Sequence, residues 1–151
     1  MAKLIMLIGI QGSGKTTHSK ILSEEYNAKV VSTDRVRQTY VGIEESEVFP
    51  TVYRLCVEEL KSGNNVILDA THITPKVRKR SFDALDQYDV QYEKVAYYFD
   101  TPVEECVRRV ELRNQDPKEL FLPLDVIVSY GNNIVPPSSE EGFVEIRVIK
   151  N

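Results

Sequence analysis

Five short apolar runs recur along the chain: KLIMLIG, AKVVST, NNVILDA, EKVAYYF and FVEIRVI, rich in Val, Ile and Tyr and mostly continuous rather than alternating. Runs of this kind mark strands buried on both faces of a parallel sheet. Helix-like stretches lie between them, over Lys15 to Tyr26, Glu47 to Lys61, Pro75 to Gln87 and Pro102 to Asn114, with a last one near Leu124 to Tyr130. The alternation predicts an α/β domain with a central parallel sheet of about five strands and helices on both faces. SGNN closes the second long helix, and Thr74-Pro75 and Thr101-Pro102 each set a capping residue before a proline at the first helical turn. The loop-rich stretch is Gln115 to Pro123, with a second break at VPPSSEEG, and neither repeat nor linker is visible. A single domain over residues 1–151 is expected, since a chain of this length can bury roughly two-thirds of its unfolded surface.

Composition narrows the class. The chain is 42% hydrophobic and 28% charged, with a formal net charge of −4. That charge argues against sequence-independent coating of nucleic acid, which needs a basic surface to release counterions, but leaves room for a local basic groove. Cys56 and Cys106 stand at apolar positions of helix-like stretches without metal-ligand spacing, and read as reduced, buried thiols of a cytoplasmic protein. The opening MAKLIMLIGI is far shorter than the roughly 20 residues of a membrane span and lacks a small-residue cleavage site. Neither targeting nor membrane contact is expected.

The first apolar run leads straight into Gly9-Ile-Gln-Gly-Ser-Gly-Lys-Thr16, which satisfies GxxxxGK[ST] between a predicted strand and a predicted helix. Glycines there let the backbone wrap a di- or triphosphate, so that N–H groups from Gln11 to Lys15, through Gly12, Ser13 and Gly14, point at phosphate oxygens with Thr17 in the same turn. The helix N-terminus adds partial positive charge. Lys15 would reach the β- and γ-phosphates and the Thr16 hydroxyl would ligate Mg²⁺. A dinucleotide-binding turn is the nearest rival, because Asp34 lies about 20 residues on. It fails on detail: Thr17 occupies the third-glycine position, and Lys and Thr at a helix start suit a triphosphate–metal site.

In a doubly wound sheet ligands gather outside the carboxyl ends of the strands. After the second run comes Asp34, in STDRVRQ, which either accepts the proton of an attacking hydroxyl or caps a short helix, with Arg37 one turn along to hold an anion on the acceptor or simply be solvated. After the third comes Asp69, which either supports the metal or bonds the following turn. His72 reads as a hydrogen-bonding loop residue. ITPKVRKR sets Lys76, Arg78, Lys79 and Arg80 at one helix start, as a phosphate-binding patch or a solvated face. Arg109 and Arg113, four apart before the loop, either close over the γ-phosphate or pair with Glu105 and Glu111.

GIQGSGKTT, STDRVRQ, NNVILDATHI, the RVELR pair and PPSSEEGFVEI, in that order and over nearly the whole chain, resemble the P-loop kinase family that includes bacteriophage polynucleotide kinase and small AAA-type ATP-binding kinases. The resemblance implies a three-layer P-loop NTPase fold of the kinase type with a short helical lid, and ATP with Mg²⁺ as the phosphate donor. It implies a 5′-hydroxyl kinase mechanism with Asp34 as general base, Arg37 gripping the acceptor phosphate, Arg109 and Arg113 as the lid clamp, and Asp69 supporting the metal. This sequence departs from the family in two places: His72 stands where members often carry asparagine, and the stretch from Asn114 to Pro123 is acidic and apolar rather than basic. The preferred acceptor is the 5′-hydroxyl end of a nucleic acid; the alternatives are a nucleoside- or sugar-like small molecule, or an ATP-dependent switch without an acceptor.

Overall fold

In the computed structural model, which describes residues 1–150, five parallel strands form one sheet: β1 (Lys3–Ile8), β2 (Ala28–Ser32), β3 (Asn65–Asp69), β4 (Glu93–Phe99) and β5 (Phe143–Ile149). Their spatial order is β2-β3-β1-β4-β5. Six helices connect them: α1 (Lys15–Tyr26), α2 (Thr33–Thr39), α3 (Glu45–Lys61), α4 (Pro75–Asp86), α5 (Val103–Asn114) and α6 (Leu124–Asn133). This is the three-layer α/β fold of P-loop NTPases.

Strand alternation divides the core between the two sheet faces. Ile5 and Leu7 of the central strand pack with Ile67, Val95, Tyr97 and Phe99 against Leu22 of α1. Leu4, Met6 and Ile8 pack on the other side with Val36 of α2, the α3 stripe Val48, Val52, Cys56 and Leu60, and Phe82 and Leu85 of α4. Every residue from Leu4 to Ile8 is fully buried, which is why β1 reads as an unbroken apolar run. The edge strand β5 is only partly covered, and exposes Val144 and Val148. A third cluster of Ile10, Cys106, Val110 and Ile127 joins α5 and α6 beneath the loop that follows β1. Both cysteines are free and buried, and among the described residues no helix is long and apolar enough to cross a membrane.

The boundaries depart from the predicted ones in instructive places. The seven-residue α2 goes unseen in the periodicity; it exists because Ser32 Oγ accepts from the Arg35 N–H at 3.0 Å, which makes Ser32, not Asp34, the cap. Helix α3 begins at Glu45 rather than Glu47, with both glutamates in the first turn where the helix dipole favours them. It carries Pro50 inside, and its buried stripe outweighs the lost backbone hydrogen bond. Thr74 caps α4 as predicted, its Oγ1 accepting from Val77 N–H at 3.2 Å. Thr101 does not cap α5, whose cap is Pro102. Helix α1 buries only Ser19 and Leu22.

Candidate active site

Register brings the carboxyl ends of β1, β2 and β3 together. Leu7 stands beside Asp69 and Asp69 beside Ser32, so the loop after β1, the Asp69 carboxylate and the start of α2 share one edge of the sheet. The Gly9 N–H donates to Thr71 O at 3.2 Å, fastening the glycine-rich loop to the turn after β3.

Within that loop Gly12 has φ +82°, and a Cβ there would meet the Cys106 carbonyl at 2.7 Å. Glycine is therefore required twice over, by backbone conformation and by the approach of α5. Gly14, at φ 100°, is the N-cap of α1. No side chain caps that helix and no acidic residue sits in its first turn, so its N-terminal donors remain available to an anion. One donor of the predicted cradle is already used: the Ser13 N–H donates to Ile10 O at 3.2 Å.

Lys15 is half-buried, and its Nζ donates to the Gly9 carbonyl at 2.8 Å. Desolvation of the ammonium pushes its pKa down, while Asp69 and then Asp34 pull it back up. Burial pushes the Asp69 carboxyl up, opposed by Lys15. These mutual effects bring Lys15, Asp34 and Asp69 into one electrostatic cluster. Asp34 itself lies largely in solvent, its carboxylate 3.2 Å from Arg37 Nη1.

Helix α5 supplies the far wall. Arg109 Nη1 donates to the Gly12 carbonyl at 3.1 Å and its Nε to Glu105 Oε1 at 3.0 Å. Hydrogen bonds from Arg108 and Arg109 hold the Glu105 carboxyl down to about 2. Arg113, one turn on, is exposed, and close enough that its charge depresses the Lys15 pKa. The two arginines therefore differ: Arg109 is built into the cradle wall, whereas Arg113 is exposed and acts on Lys15 through its charge.

The structure adds residues that the motifs did not suggest. Thr101 Oγ1 donates to Ser13 O at 3.0 Å and so braces the loop from the end of β4. The basic cluster of ITPKVRKR splits by environment and is not a single patch: Lys79 pairs with Asp83 at the surface, while Arg78 is wholly buried and bonds His72 O, Val135 O and Glu141. No sequence window reveals these links, because the partners lie 88 residues apart for Thr101 and 63 for Arg78 and Glu141.

His72 is buried, has φ +46°, and its Nε2 lies 3.2 Å from Ser81 Oγ, which in turn bonds Tyr53 Oη at 2.8 Å. Burial first, and Lys15 second, depress its pKa from 6.5 to about 4. The folded chain therefore refuses a proton that the unfolded chain takes up between those values, and stability falls as pH drops through that window. His72→Asn, a residue that tolerates positive φ, is expected to flatten the decline, a difference on the order of 3 kcal/mol by pH 4. Urea unfolding from pH 7 to 4 checks this; parallel curves for the two proteins would place the acid sensitivity elsewhere.

Known proteins share parts of this sequence and fold. A UPF0200 protein of Saccharolobus solfataricus is 27% identical, over 99% of this chain and 95% of its own. The shikimate kinase of Synechococcus elongatus is also 27% identical, over 71% of this chain and 57% of its own. In the solved structure of the Pnkp1/Rnl/Hen1 RNA repair complex, one chain superposes with a TM-score of 0.76 at 28% identity, covering 87% of this chain and 43% of that one. The present chain thus spans less than half of that protein. Residues 4–136, which hold the cradle, β1 to β4 and the α5–α6 pair, match the AAA domain family, and the chain belongs to that family.

Proposed function

We propose that the protein is an ATP-dependent kinase that moves the γ-phosphoryl group of ATP to a hydroxyl, with the 5′-hydroxyl end of a nucleic acid as acceptor. The observation that carries this reading is the register that sets the glycine-rich loop, Asp69 and the start of α2 at one sheet edge before the uncapped α1, with Lys15 in the field of Asp69, Asp34 and Arg113. The order of motifs shared with the polynucleotide kinase family, and the likeness to a chain of an RNA repair complex, support the choice of acceptor.

The reaction needs no covalent intermediate. The acceptor oxygen bonds to the γ-phosphorus as the bond to the β–γ bridging oxygen breaks, ADP leaves, and the hydroxyl proton passes to the Asp34 carboxylate and on to solvent. Lys15, Arg109 and Arg113 offset the negative charge, and the cradle N–H groups hold the phosphates in line. Thr16 and Asp69 offer hard oxygen donors that suit Mg²⁺, and no larger group of metal-binding side chains occurs among the described residues. An ion of this kind takes most of its ligands from phosphate and water, and supplies charge neutralisation when bound.

The test is transfer of labelled γ-phosphate to a 5′-hydroxyl oligodeoxynucleotide, an oligoribonucleotide, a nucleoside 3′-monophosphate and free nucleosides. Label is expected on the polymers, and Asp34→Ala is expected to lower transfer about a hundredfold or more with ATP binding retained. An unlabelled polymer overturns the acceptor assignment, and undiminished transfer by the variant overturns the base.

One set of observations favours a small-molecule acceptor instead. Besides the net charge of −4, the stretch between α5 and α6 presents exposed Leu120 and Phe121 rather than a basic stripe, and a shikimate kinase is among the relatives. On that reading acceptor binding varies little with salt, whereas a polynucleotide acceptor gives a steep dependence.

A further inference from the structure

Arg37 is already engaged. Its Nε donates to both carboxylate oxygens of Glu45 at 3.2 Å each, and its Nη2 donates to Oε1 at 2.8 Å. Its Nη1 donates to Asp34 at 3.2 Å. The Nε–Nη2 edge is the side of a guanidinium that grips a carboxylate or a phosphate through two parallel hydrogen bonds. Glu45 fills that edge from the first turn of α3, where the helix dipole favours its charge. The contact joins α2 to α3 across a bend that the sequence pattern does not suggest.

We infer that Glu45 determines acceptor specificity: its carboxylate occupies the fork of Arg37 that a phosphate group on the acceptor would take, and so weakens phosphate-bearing acceptors relative to unphosphorylated ones. This rests on the reading of Arg37 as an acceptor-binding residue. A phosphate taking the same two N–H groups must displace Glu45, whereas an acceptor without one leaves the pair intact. The exchange is reversible and modest. The side chains of Arg37 and Glu45 are 40% and 72% exposed, and an ion pair in water is easily exchanged. Glu45 therefore grades acceptors rather than closing the site. Asp34 holds Nη1, outside the edge that the exchange uses.

The test measures calorimetric Kd values of thymidine 3′-monophosphate and thymidine for the full chain and for Glu45→Gln, with the cradle saturated by a non-hydrolysable ATP analogue. Glu45→Gln is expected to tighten the 3′-monophosphate about three- to fivefold relative to thymidine, and Glu45→Asp to stay near the parent ratio. An unchanged ratio, equal tightening of both ligands, or no binding of the 3′-monophosphate to either protein overturns the inference. Labelled transfer from ATP, run on the same proteins, separates the two ideas. A shifted ratio without transfer defeats the kinase reading alone, and transfer with an unshifted ratio defeats the Glu45 assignment alone.

Discussion

Lys15→Ala is expected to lower nucleotide turnover about a thousandfold or more while the chain still folds. The lysine is held in an unfavourable setting: its ammonium is desolvated, and its contacts are the Gly9 carbonyl at 2.8 Å and the field of Asp69 and Asp34. On the proposed kinase reading, a polyphosphate in the cradle supplies the missing counter-charge, so the group becomes most useful when substrate binds and as charge moves toward the leaving oxygen. Removing it relieves the desolvation cost and deprives Asp69 of a partner, two effects of opposite sign on stability. Thermal unfolding of the variant should therefore fall close to the parent's, with turnover lost. Turnover within tenfold of the parent would reduce Lys15 to a strut for the Gly9 carbonyl, and an unfolded variant would make it structural.

Arg78→Ala is expected to cost about 3–5 kcal/mol of folding stability, the range for breaking one partner out of a buried ion pair. Arg78 is wholly buried and holds three segments together. Its Nη1 donates to His72 O at 2.8 Å and Val135 O at 3.0 Å, Nη2 to Pro136 O at 3.4 Å, and Nε to Glu141 at 2.7 Å. Alanine strands these carbonyls and leaves the mostly buried Glu141 carboxylate without its cation. Lysine, with a single charged nitrogen, cannot reproduce the fork, so Arg78→Lys should recover only part of the loss. Adding Glu141→Gln to the alanine variant should recover stability, because part of the penalty lies in the stranded charge. Urea unfolding with an unchanged m-value is the measurement, and a loss below 1 kcal/mol would mean that water or a neighbour replaces the guanidinium. The turn after β3 anchors Gly9 through Thr71 O, so a loosened His72 segment should also weaken nucleotide binding.

What the residues disclosed on their own follows from short-range physics. The continuous apolar runs at β1 and β3 announce strands buried on both sides, Thr74 before Pro75 announces the start of α4, and the glycine-rich turn between β1 and α1 announces the cradle. Each is a pattern within a few residues, set by side-chain alternation or by the backbone angles glycine permits. The candidate carboxylates at Asp34 and Asp69 were legible for the same reason, because Asp69 ends β3 and Asp34 comes two residues after β2.

The rest depends on which strands become neighbours. Thr101 bracing Ser13, Arg109 reaching the Gly12 carbonyl across 97 positions, and Arg78 locking His72 to Glu141 exist because the order β2-β3-β1-β4-β5 sets β4 and α5 beside the first loop. The same packing separates residues that look alike in sequence, burying Arg78 and leaving Lys79 in solvent, and it gives Arg37 to Glu45. A hydrogen bond between distant residues leaves no periodic trace, because its energy depends on distance in space and desolvation, and both are decided only when the sheet and its helices close around the site.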